Sequence, residues 1–540
     1  MSKFLEELEK KLQKQQVDRS LNKTLKDLPA PSQLKNCEFA AKTIIDWLMA
    51  GKRLLVVGDY DADGILATTI LISFLREAGF TEDFVDYLIP SRLKNGYGVS
   101  PDIVKYAKEE GFDFIVTVDN GVSANAAVDL ANEYDIPVII TDHHTAPSVL
   151  PSAYTIVNPR VPGETFPFPF ISGATVAWYL VAAMRAEMDI GIDIRKYLDF
   201  VAITIISDVM PLNDINLPLL KAGMKKIKNR ERFLYELIWN DWSAPTINTT
   251  EISFSLVPKI NAIGRINDAN IGVKMFLSKS KQEIKELFDY VTEVNEKRKE
   301  MSRSYVEQAE HFIEDNHIGD DPVIIVRNKD FHEGIVGIIA GKLAEKHQKP
   351  AYVFSYNEEK DIWKGSARSV GNIHLYDLTN KASEFIAGFG GHKGAVGLGV
   401  TEENWDKFSE ALKTAAKEIP ESEFIDDSLI PIECTLNDID SEALELLAKY
   451  GPYGHGNPEP IFLTEGVQLN IEREMKGGLH FKATVSDGTG SAVGLFFNVN
   501  KEEFLGRLEE EEEHSILYYP SLKYDLRKDE FSHELICTLL

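Results

Sequence analysis

The sequence predicts an α/β protein with two α/β domains, which a long helix joins, and a small β-barrel towards its C-terminal end. Three observations predict this architecture. Short, wholly apolar runs alternate with helical stretches between about residues 40 and 220, as in parallel sheets that helices cover on both faces. Residues 273–318 contain neither Gly nor Pro. Short strands separated by turn signals fill most of residues 425–540, a pattern typical of a small barrel.

Length and charge set the first limits on function. At 540 residues the chain has room for three or four domains, and an apolar fraction of 44% excludes a fully disordered chain. A net charge of −27 argues against nucleic acid, which attracts basic proteins. However, residues 401–540 hold 30 acidic and 12 basic residues, and so carry −18 of that charge. The first 400 residues therefore stay open to an anionic ligand.

The pattern along the chain predicts five segments. We expect a helical N-terminal extension over residues 1–40, a first α/β domain over 41–272, a connecting helix over 273–318, a second α/β domain over 319–420 and the barrel over 421–540. In the first domain the clearest predicted strands are Leu54–Val57, Phe114–Val118 and Val138–Thr141, and the clearest helices are 65–78 and 124–134.

Cysteine usage and hydropathy indicate the compartment. Cys37, Cys434 and Cys537 have a spacing that fits neither a disulfide framework nor a zinc site. The opening residues, MSKFLEELEKK, lack the apolar core of a signal peptide, and no apolar run approaches the ~18 residues that span a membrane. We expect a soluble, cytoplasmic protein that does not enter a membrane.

Three aspartates, Asp59, Asp61 and Asp63, follow the first predicted strand in the run GDYDADG. Carboxylates this close repel one another, so a bound divalent cation would stabilise the loop. A calcium loop of EF-hand type is the alternative interpretation. The position of its bidentate Glu is occupied by Ile70, and a strand stands where an EF-hand has a helix.

Carboxylates and imidazoles follow three further segments. Phe114–Val118 leads into Asp119, Val138–Thr141 leads into Asp142-His143-His144, and residues 200–206 lead into Ser207-Asp208. Since the C-terminal ends of parallel strands form one crevice, we expect these side chains to meet, although each Asp alone could cap a helix. Oxygen donors with one imidazole suit Mn²⁺ or Mg²⁺. So many carboxylates predict two ions that share an Asp at ~3.5–4 Å separation.

These motifs resemble a known superfamily. DYDADG, VDNG, TDHH and SDVMPL, in this order and spacing, resemble the four core motifs of the DHH phosphoesterases. Further motifs at residues 258–265 (PKINAIGR), 332–340 (HEGIVGIIA), 365–369 (GSARS) and 390–397 (GGHKGAVG) are similar to those of the RecJ family, the single-strand-specific 5′→3′ DNA exonucleases of that superfamily. The resemblance covers roughly residues 40–400, and the C-terminal strands are similar to the OB-type domain of that family.

The resemblance implies roles for the residues of the core motifs. Two divalent ions, Mn²⁺ or Mg²⁺, would be bound by Asp59, Asp61, Asp63, Asp119, His143 and Asp208. Asp119 is the best candidate for the shared ligand. Asp142 would orient a histidine, and His144 would stabilise the charge that develops on the scissile phosphate.

It also implies roles for residues at the substrate. The second α/β domain is similar to the DHHA1 domain, in which Gly390, Gly391, His392 and Lys393 would close over the DNA. Ser366 with Arg368, and Arg92 as a second candidate, would bind the 5′ phosphate, and Arg265 would contact the DNA backbone. For the glycines a simple turn, and for any single arginine a surface ion pair, is the alternative interpretation.

The expected function is therefore hydrolysis of single-stranded DNA from its 5′ end to 5′-mononucleotides, in DNA repair and recombination. A single-strand-binding protein or a helicase is an expected partner. One alternative is a phosphodiesterase for short oligonucleotides or cyclic dinucleotides, which the length of the chain disfavours. The other is a non-catalytic replication scaffold, which the complete carboxylate set disfavours. Phe496, Phe497, Tyr518 and Tyr524 in the barrel could stack on bases, with core packing as the alternative role.

Overall fold

The described residues form three β-sheets, each at the centre of a unit with its own hydrophobic core. The computed structural model describes residues 3–15, 23–91, 98–239, 247–424, 431–510, 512–525 and 530–540. The first and second sheets have an apolar cluster on each face, and the third encloses a single cluster. We call these the first, second and third units. Among the described residues, no helix has both the length and the apolar character needed to cross a bilayer.

The first unit is built on a five-stranded, wholly parallel sheet of order β2-β1-β3-β4-β5. Its strands are β1 (Leu54–Val57), β2 (Val85–Leu88), β3 (Phe114–Val118), β4 (Val138–Thr141) and β5 (Thr155–Val157). The three strands that the sequence predicts have the predicted bounds. Every residue in them is buried, which explains why they are continuously apolar rather than alternating.

Helices precede, cover and follow this sheet. They are α1 (Lys3–Gln15), α2 (Cys37–Met49), α3 (Ala62–Glu77), α4 (Pro101–Glu109), α5 (Asn125–Glu133), α6 (Gly173–Met188), α7 (Leu198–Ser207), α8 (Asn216–Lys228), α9 (Phe233–Ile238), α10 (Thr249–Ser255), α11 (Val257–Ile266) and α12 (Asn270–Leu277). The predicted helices 65–78 and 124–134 correspond to α3 and α5.

A long helix, α13 (Lys281–Asp315), connects the first unit to the second. Its 35 residues span about 50 Å. It begins eight residues later than the sequence predicts, because Ser280 caps it: the Ser280 hydroxyl accepts a hydrogen bond from the Glu283 amide at 3.3 Å. The Ser278 hydroxyl donates to the Glu283 carboxylate at 2.6 Å and stabilises the break between α12 and α13.

The second unit has a mixed five-stranded sheet of order β6-β7-β8-β10-β9, in which only β6 and β7 are parallel. Its elements are β6 (Ile324–Arg327), α14 (Val336–His347), β7 (Ala351–Asn357), β8 (Ile362–Arg368), α15 (Leu375–Asn380), β9 (Gly388–Gly391), β10 (Ala395–Val400) and α16 (Trp405–Ala416).

The third unit is a closed five-stranded barrel, since β12 pairs with both β13 and β15. Its elements are β11 (Ile432–Glu433), α17 (Ser441–Tyr450), β12 (Phe462–Met475), β13 (His480–Ser486), β14 (Ser491–Phe497), α18 (Lys501–Glu510), β15 (His514–Asp525) and β16 (Glu530–Leu539). The predicted fold class is confirmed in all three units.

Helix α1 packs against the third unit, more than 400 residues away in the sequence. Leu5, Leu8 and Leu12 are buried in the apolar cluster of the barrel, and the Lys449 ammonium lies 3.1 Å from the Glu9 carboxylate. The two ends of the described chain therefore share one core.

Candidate functional site

Asp59 and Asp61 lie in the loop after β1, and Asp63 lies in the first turn of α3. Contacts between the loop and the start of α3 fix the positions of all three. The Asp61 carboxylate caps the helix by accepting hydrogen bonds from the Asp63 and Gly64 amides at 3.0 and 3.1 Å, as expected of an N-cap aspartate. A Cβ on Gly64 would lie 2.4–2.5 Å from the Asp59 backbone. Glycine at this position therefore allows the loop to fold back on α3.

One imidazole faces carboxylates from three different elements. The His143 Nε2 atom lies 3.1 Å from Asp119 Oδ1, 3.5 Å from Asp208 Oδ2 and 3.7 Å from Asp63 Oδ2. Asp119 and His143 follow β3 and β4, as a parallel sheet requires, whereas Asp208 ends helix α7. The structure thus brings these side chains together at one edge of the sheet, as the sequence predicts.

Two groups of donor atoms in this cluster fit divalent ions. Asp63, His143 and Asp208 form one group, and Asp59, Asp61 and Asp119 form another, with the ligand atoms of each group within 4.8 Å of one another. A third group of the same kind, Asp119, His143 and His144, overlaps both. Asp119 also lies against His143 of the first group, so it is placed to serve both. Carboxylate oxygens with one imidazole are the donors expected for Mn²⁺ or Mg²⁺, and the residues present therefore fit a two-ion centre.

The electrostatics of the cluster favour bound cations. Burial, followed by repulsion from neighbouring carboxylates, raises the pKa values of Asp63, Asp119 and Asp208 above the ordinary range. Burial, followed by the charge of His144, lowers the pKa of His143 to about 3, so its ring is neutral and has a lone pair to offer. Divalent ions would offset the repulsion and keep the carboxylates ionised.

Asp142 and His144 form a separate, charge-assisted pair. Asp142 Oδ1 accepts hydrogen bonds from the His143 and His144 amides at 2.7 and 3.0 Å, and lies 2.8 Å from His144 Nδ1. Burial opposes ionisation of both groups. Their mutual attraction outweighs it, lowering the pKa of Asp142 to about 2 and raising that of His144 to about 9. His144 is therefore held as a cation, and its side chain remains 43% exposed at the mouth of the site.

The start of α6 contacts three of these residues, and sequence reasoning missed it. The Gly173 and Ala174 amides donate to the Asp63 carboxylate at 2.6 and 2.8 Å, and the Ile171 carbonyl contacts the His143 ring. A Cβ on Gly173 would lie 2.4–2.6 Å from the Asp119 side chain. In the sequence, Ser172-Gly173 stands before a long apolar run, and this pattern predicts the start of a helix. It does not predict that the helix start contacts Asp63 and Asp119.

Arg160 is a second residue that sequence reasoning missed. It follows β5, and its amide donates to Asn158 Oδ1 at 2.7 Å, while the Asn158 side chain donates to the His144 carbonyl at 3.0 Å. The Arg160 charge acts on Asp142 and Asp208, and also on His392 of the second unit. Arg160 therefore lies within electrostatic range of both the carboxylate cluster and the second unit.

The predicted glycine-rich loop is the β9–β10 hairpin of the second unit. The His392 amide donates to the Ala395 carbonyl at 2.9 Å, and Gly391 has a φ of +156°. Gly390 has open space around its Cα, and Lys393 is exposed. Burial, followed by the charges of Arg368 and Arg160, lowers the pKa of His392. The hairpin therefore faces a cationic region.

Ser366 and Arg368 lie together on β8, beside the start of α14. The Arg368 Nη1 atom donates to the Ser366 hydroxyl at 3.0 Å and to the Ala367 carbonyl at 2.8 Å. A Cβ on Gly337, at the start of α14, would lie 3.0 Å from the Ser366 hydroxyl and 3.1 Å from Arg368 Nη2. Arg92, the other candidate for the 5′ phosphate, lies outside the described residues.

The NAIGR segment of α11 joins the first unit to the second. Asn261 Oδ1 accepts a hydrogen bond from the Ala62 amide at 2.8 Å and so supports the loop after β1. The Arg265 Nη1 atom donates to the Gly334 carbonyl at 3.1 Å, across the junction. The predicted contact of Arg265 with DNA stays a prediction.

Three protein-family models match the chain, one in each unit. They are described as the DHH family N-terminal domain, which matches residues 53–205, the DHHA1 domain, which matches 320–418, and the RecJ OB domain, which matches 430–527. A curated relative, the single-stranded-DNA-specific exonuclease RecJ of Escherichia coli K12, is 31% identical over 512 residues, covering 89% of this chain and 87% of the relative. This chain belongs to the RecJ family.

Other RecJ proteins show the same relationship. The single-stranded-DNA-specific exonuclease RecJ of Bacillus subtilis 168 is 32% identical over 476 residues, but the match covers 87% of this chain and only 59% of that relative. A crystal structure of RecJ from Thermus thermophilus in complex with Mn²⁺ has a TM-score of 0.75 at 25% identity, over 96% of this chain and 72% of the other. The RecJ resemblance predicted from the motifs is confirmed.

The position of Gly173 leads to a testable prediction. Gly173→Ala places a methyl group on the Asp119 carboxylate, so we expect the affinity for Mn²⁺ to fall roughly tenfold or more, the range for residues that support metal ligands. Titration calorimetry of the purified protein with Mn²⁺ measures this. The matched control is Gly506→Ala, a helical glycine with open space around it. Equal Mn²⁺ affinity in the two variants would contradict the proposed ligand role of Asp119.

Proposed function

We propose that this protein is a metal-dependent exonuclease that degrades single-stranded DNA from its 5′ end to 5′-mononucleotides. One observation carries the proposal: Arg160 lies within electrostatic range both of the carboxylate cluster of the first unit and of His392 in the second unit, where Arg368 adds a second positive charge. A metal centre that faces phosphate-binding groups is suited to phosphodiester hydrolysis. The names of the RecJ relatives from Escherichia coli and Bacillus subtilis support the substrate and the reaction.

The proposed cofactors are two divalent ions, Mn²⁺ or Mg²⁺. Crystal structures of RecJ from Thermus thermophilus are described as complexes with Mn²⁺ and with Mg²⁺. Asp59, Asp61, Asp63, Asp119, His143 and Asp208 would hold them, with Asp119 shared. When bound, such ions activate water and offset charge on the phosphoryl group.

The remaining residues would bind and orient the substrate. Asp142 fixes the ring of His144, whose positive charge would stabilise the phosphate during cleavage. The guanidinium of Arg368, held by Ser366, would bind the terminal phosphate with its planar fork of donors. The hairpin with Gly390, Gly391, His392 and Lys393 would cover the strand, and Arg160 would bind a phosphate between the two units.

The barrel of the third unit would bind the part of the strand that extends beyond the carboxylate cluster. OB-type barrels bind single strands in grooves with stacking aromatic side chains. Of the predicted stacking residues, Phe496 and Tyr518 are buried in the core, whereas Phe497 is 44% exposed and packs at an edge against His480. The side chain of Tyr524 lies outside the described part of the barrel. Phe497 is therefore the proposed stacking residue.

The biological setting is part of this proposal. A single-strand exonuclease would act in DNA repair and recombination, in the cytoplasm, where DNA is accessible. A single-strand-binding protein or a helicase as a partner stays a prediction.

A direct experiment compares linear and circular DNA. The purified chain with Mn²⁺ should release 5′-mononucleotides from linear, 5′-phosphorylated single strands and leave circular single strands and blunt duplexes intact. In Asp119→Asn we expect the rate to fall at least ~100-fold, because the ligand shared by the two ions loses its charge and the ions that stabilise the transition state are lost or displaced. The exposed Asp129→Asn is the control. Cleavage of circles at the same rate would exclude the exonuclease, and an unaffected Asp119→Asn variant would exclude the site.

The proposed role of Arg368 leads to a further prediction. Arg368→Lys keeps the charge but loses the planar fork, so we expect KM for a 5′-phosphorylated strand to rise about tenfold, as for loss of one hydrogen bond to a charged group, with kcat little changed. A 5′-hydroxyl strand should show no such change. The exposed Arg195→Lys serves as the control. An equal rise in KM for both strands would show that Arg368 does not bind the terminal phosphate.

A further inference from the structure

The chain turns sharply just after Asp208. Asp208 ends α7, the Met210 amide donates to the Ile205 carbonyl at 2.9 Å, and Val209 between them has a φ of +51°. This region is sparsely populated for a β-branched residue. Such a conformation persists only where surrounding contacts hold it, so the turn after Asp208 depends on what packs against it.

A loop of the third unit, residues 451–457, packs against that turn. The Leu212 amide donates to the His455 carbonyl at 2.8 Å. A Cβ on Gly454 would lie 2.9 Å from the Leu212 side chain, and one on Gly456 would lie 3.6 Å from Pro211. The glycines thus bring the backbone of the loop into direct contact with the segment that follows Asp208. We call residues 451–457 the brace loop.

The brace loop is itself fixed from both sides. The buried Asn457 side chain donates to the Tyr450 carbonyl at 3.2 Å, which ties the loop to α17 and the core of the barrel, and to the Pro452 carbonyl at 2.9 Å, within the loop. From the first unit, the Thr249 hydroxyl donates to the Tyr453 carbonyl at 2.7 Å. The contact with Leu212 therefore comes from a rigid element.

Asp208 is less enclosed by the protein than the other carboxylates around His143. Its side chain is 28% exposed, whereas those of Asp63 and Asp119 are at most 2% exposed. The two buried ligands are enclosed by the sheet and by α6. Asp208 stands at the rim, and its position depends on the backbone turn that follows it.

We infer that the brace loop is a positioning element for Asp208, through which the third unit helps retain one of the two metal ions. This role is separate from any contact of the barrel with DNA. The inference rests on the proposed function only in taking Asp208 as a metal ligand.

The test measures Mn²⁺ binding to the full chain in the absence of DNA. Asn457→Ala removes the hydrogen bond that ties the loop to α17 and the one within the loop to Pro452, and Thr249→Val removes the bond from the first unit. In each variant we expect one Mn²⁺ site to weaken about tenfold, as when a supporting residue of a metal ligand is lost, and the other to be unchanged. Titration calorimetry with Mn²⁺, together with the electron paramagnetic resonance of free Mn²⁺, resolves the two sites.

The control is Thr464→Val, which removes a buried hydroxyl that donates to the Cys434 carbonyl at 2.8 Å within the barrel and away from the brace loop. It should lower the melting temperature of the third unit without changing either Mn²⁺ site. Unchanged Mn²⁺ binding in Asn457→Ala and Thr249→Val would overturn the inference, as would equal weakening in Thr464→Val. If the variants show this pattern but the wild-type protein does not cleave DNA, the proposed nuclease would be refuted and the role of the brace loop in metal binding would stand.

Discussion

Repulsion among buried carboxylates is the constraint on which the site depends. Asp59, Asp63 and Asp119 are almost fully buried and share one edge of a sheet with Asp61 and Asp208. Buried ions of like charge are costly unless they are paired or coordinate cations. The fold reduces that cost with the amides at the start of α6. Divalent ions supply the rest, and the same ions would perform the chemistry.

The three units can be understood from their relation to this cluster. The first unit provides the ligands because a parallel sheet brings the ends of its strands together. The second unit places Arg368 and the hairpin that bears His392 within electrostatic range of one another, and Arg160 of the first unit also acts on that hairpin. The third unit contacts the turn after Asp208, and α1 packs into the core of that unit. The carboxylate cluster therefore depends on contacts between segments that are far apart in the sequence.

Much of the fold and of the site follows from local sequence. Strands β1, β3 and β4 have their predicted bounds because their residues are buried on both faces and polar residues follow at once. The metal-ligand candidates at their ends could therefore be identified together with the strands.

Other features depend on distant partners. Asp63 accepts a hydrogen bond from an amide 110 residues away, and α1 packs against a barrel that lies at the other end of the chain. Phe497 is exposed and Phe496 is buried, and only the register of the barrel distinguishes them. The start of α13 depends on the cap at Ser280, which the absence of Gly and Pro could not indicate.

The most direct measurement is anomalous diffraction at the manganese edge from crystals soaked in Mn²⁺. Two peaks ~3.5–4 Å apart, both within bonding distance of Asp119, are the result that this account predicts. One ion would contact Asp63, His143 and Asp208, and the other Asp59 and Asp61. A single peak, or two peaks of which neither contacts Asp119, would contradict the claim that a pair of cations balances the buried carboxylates.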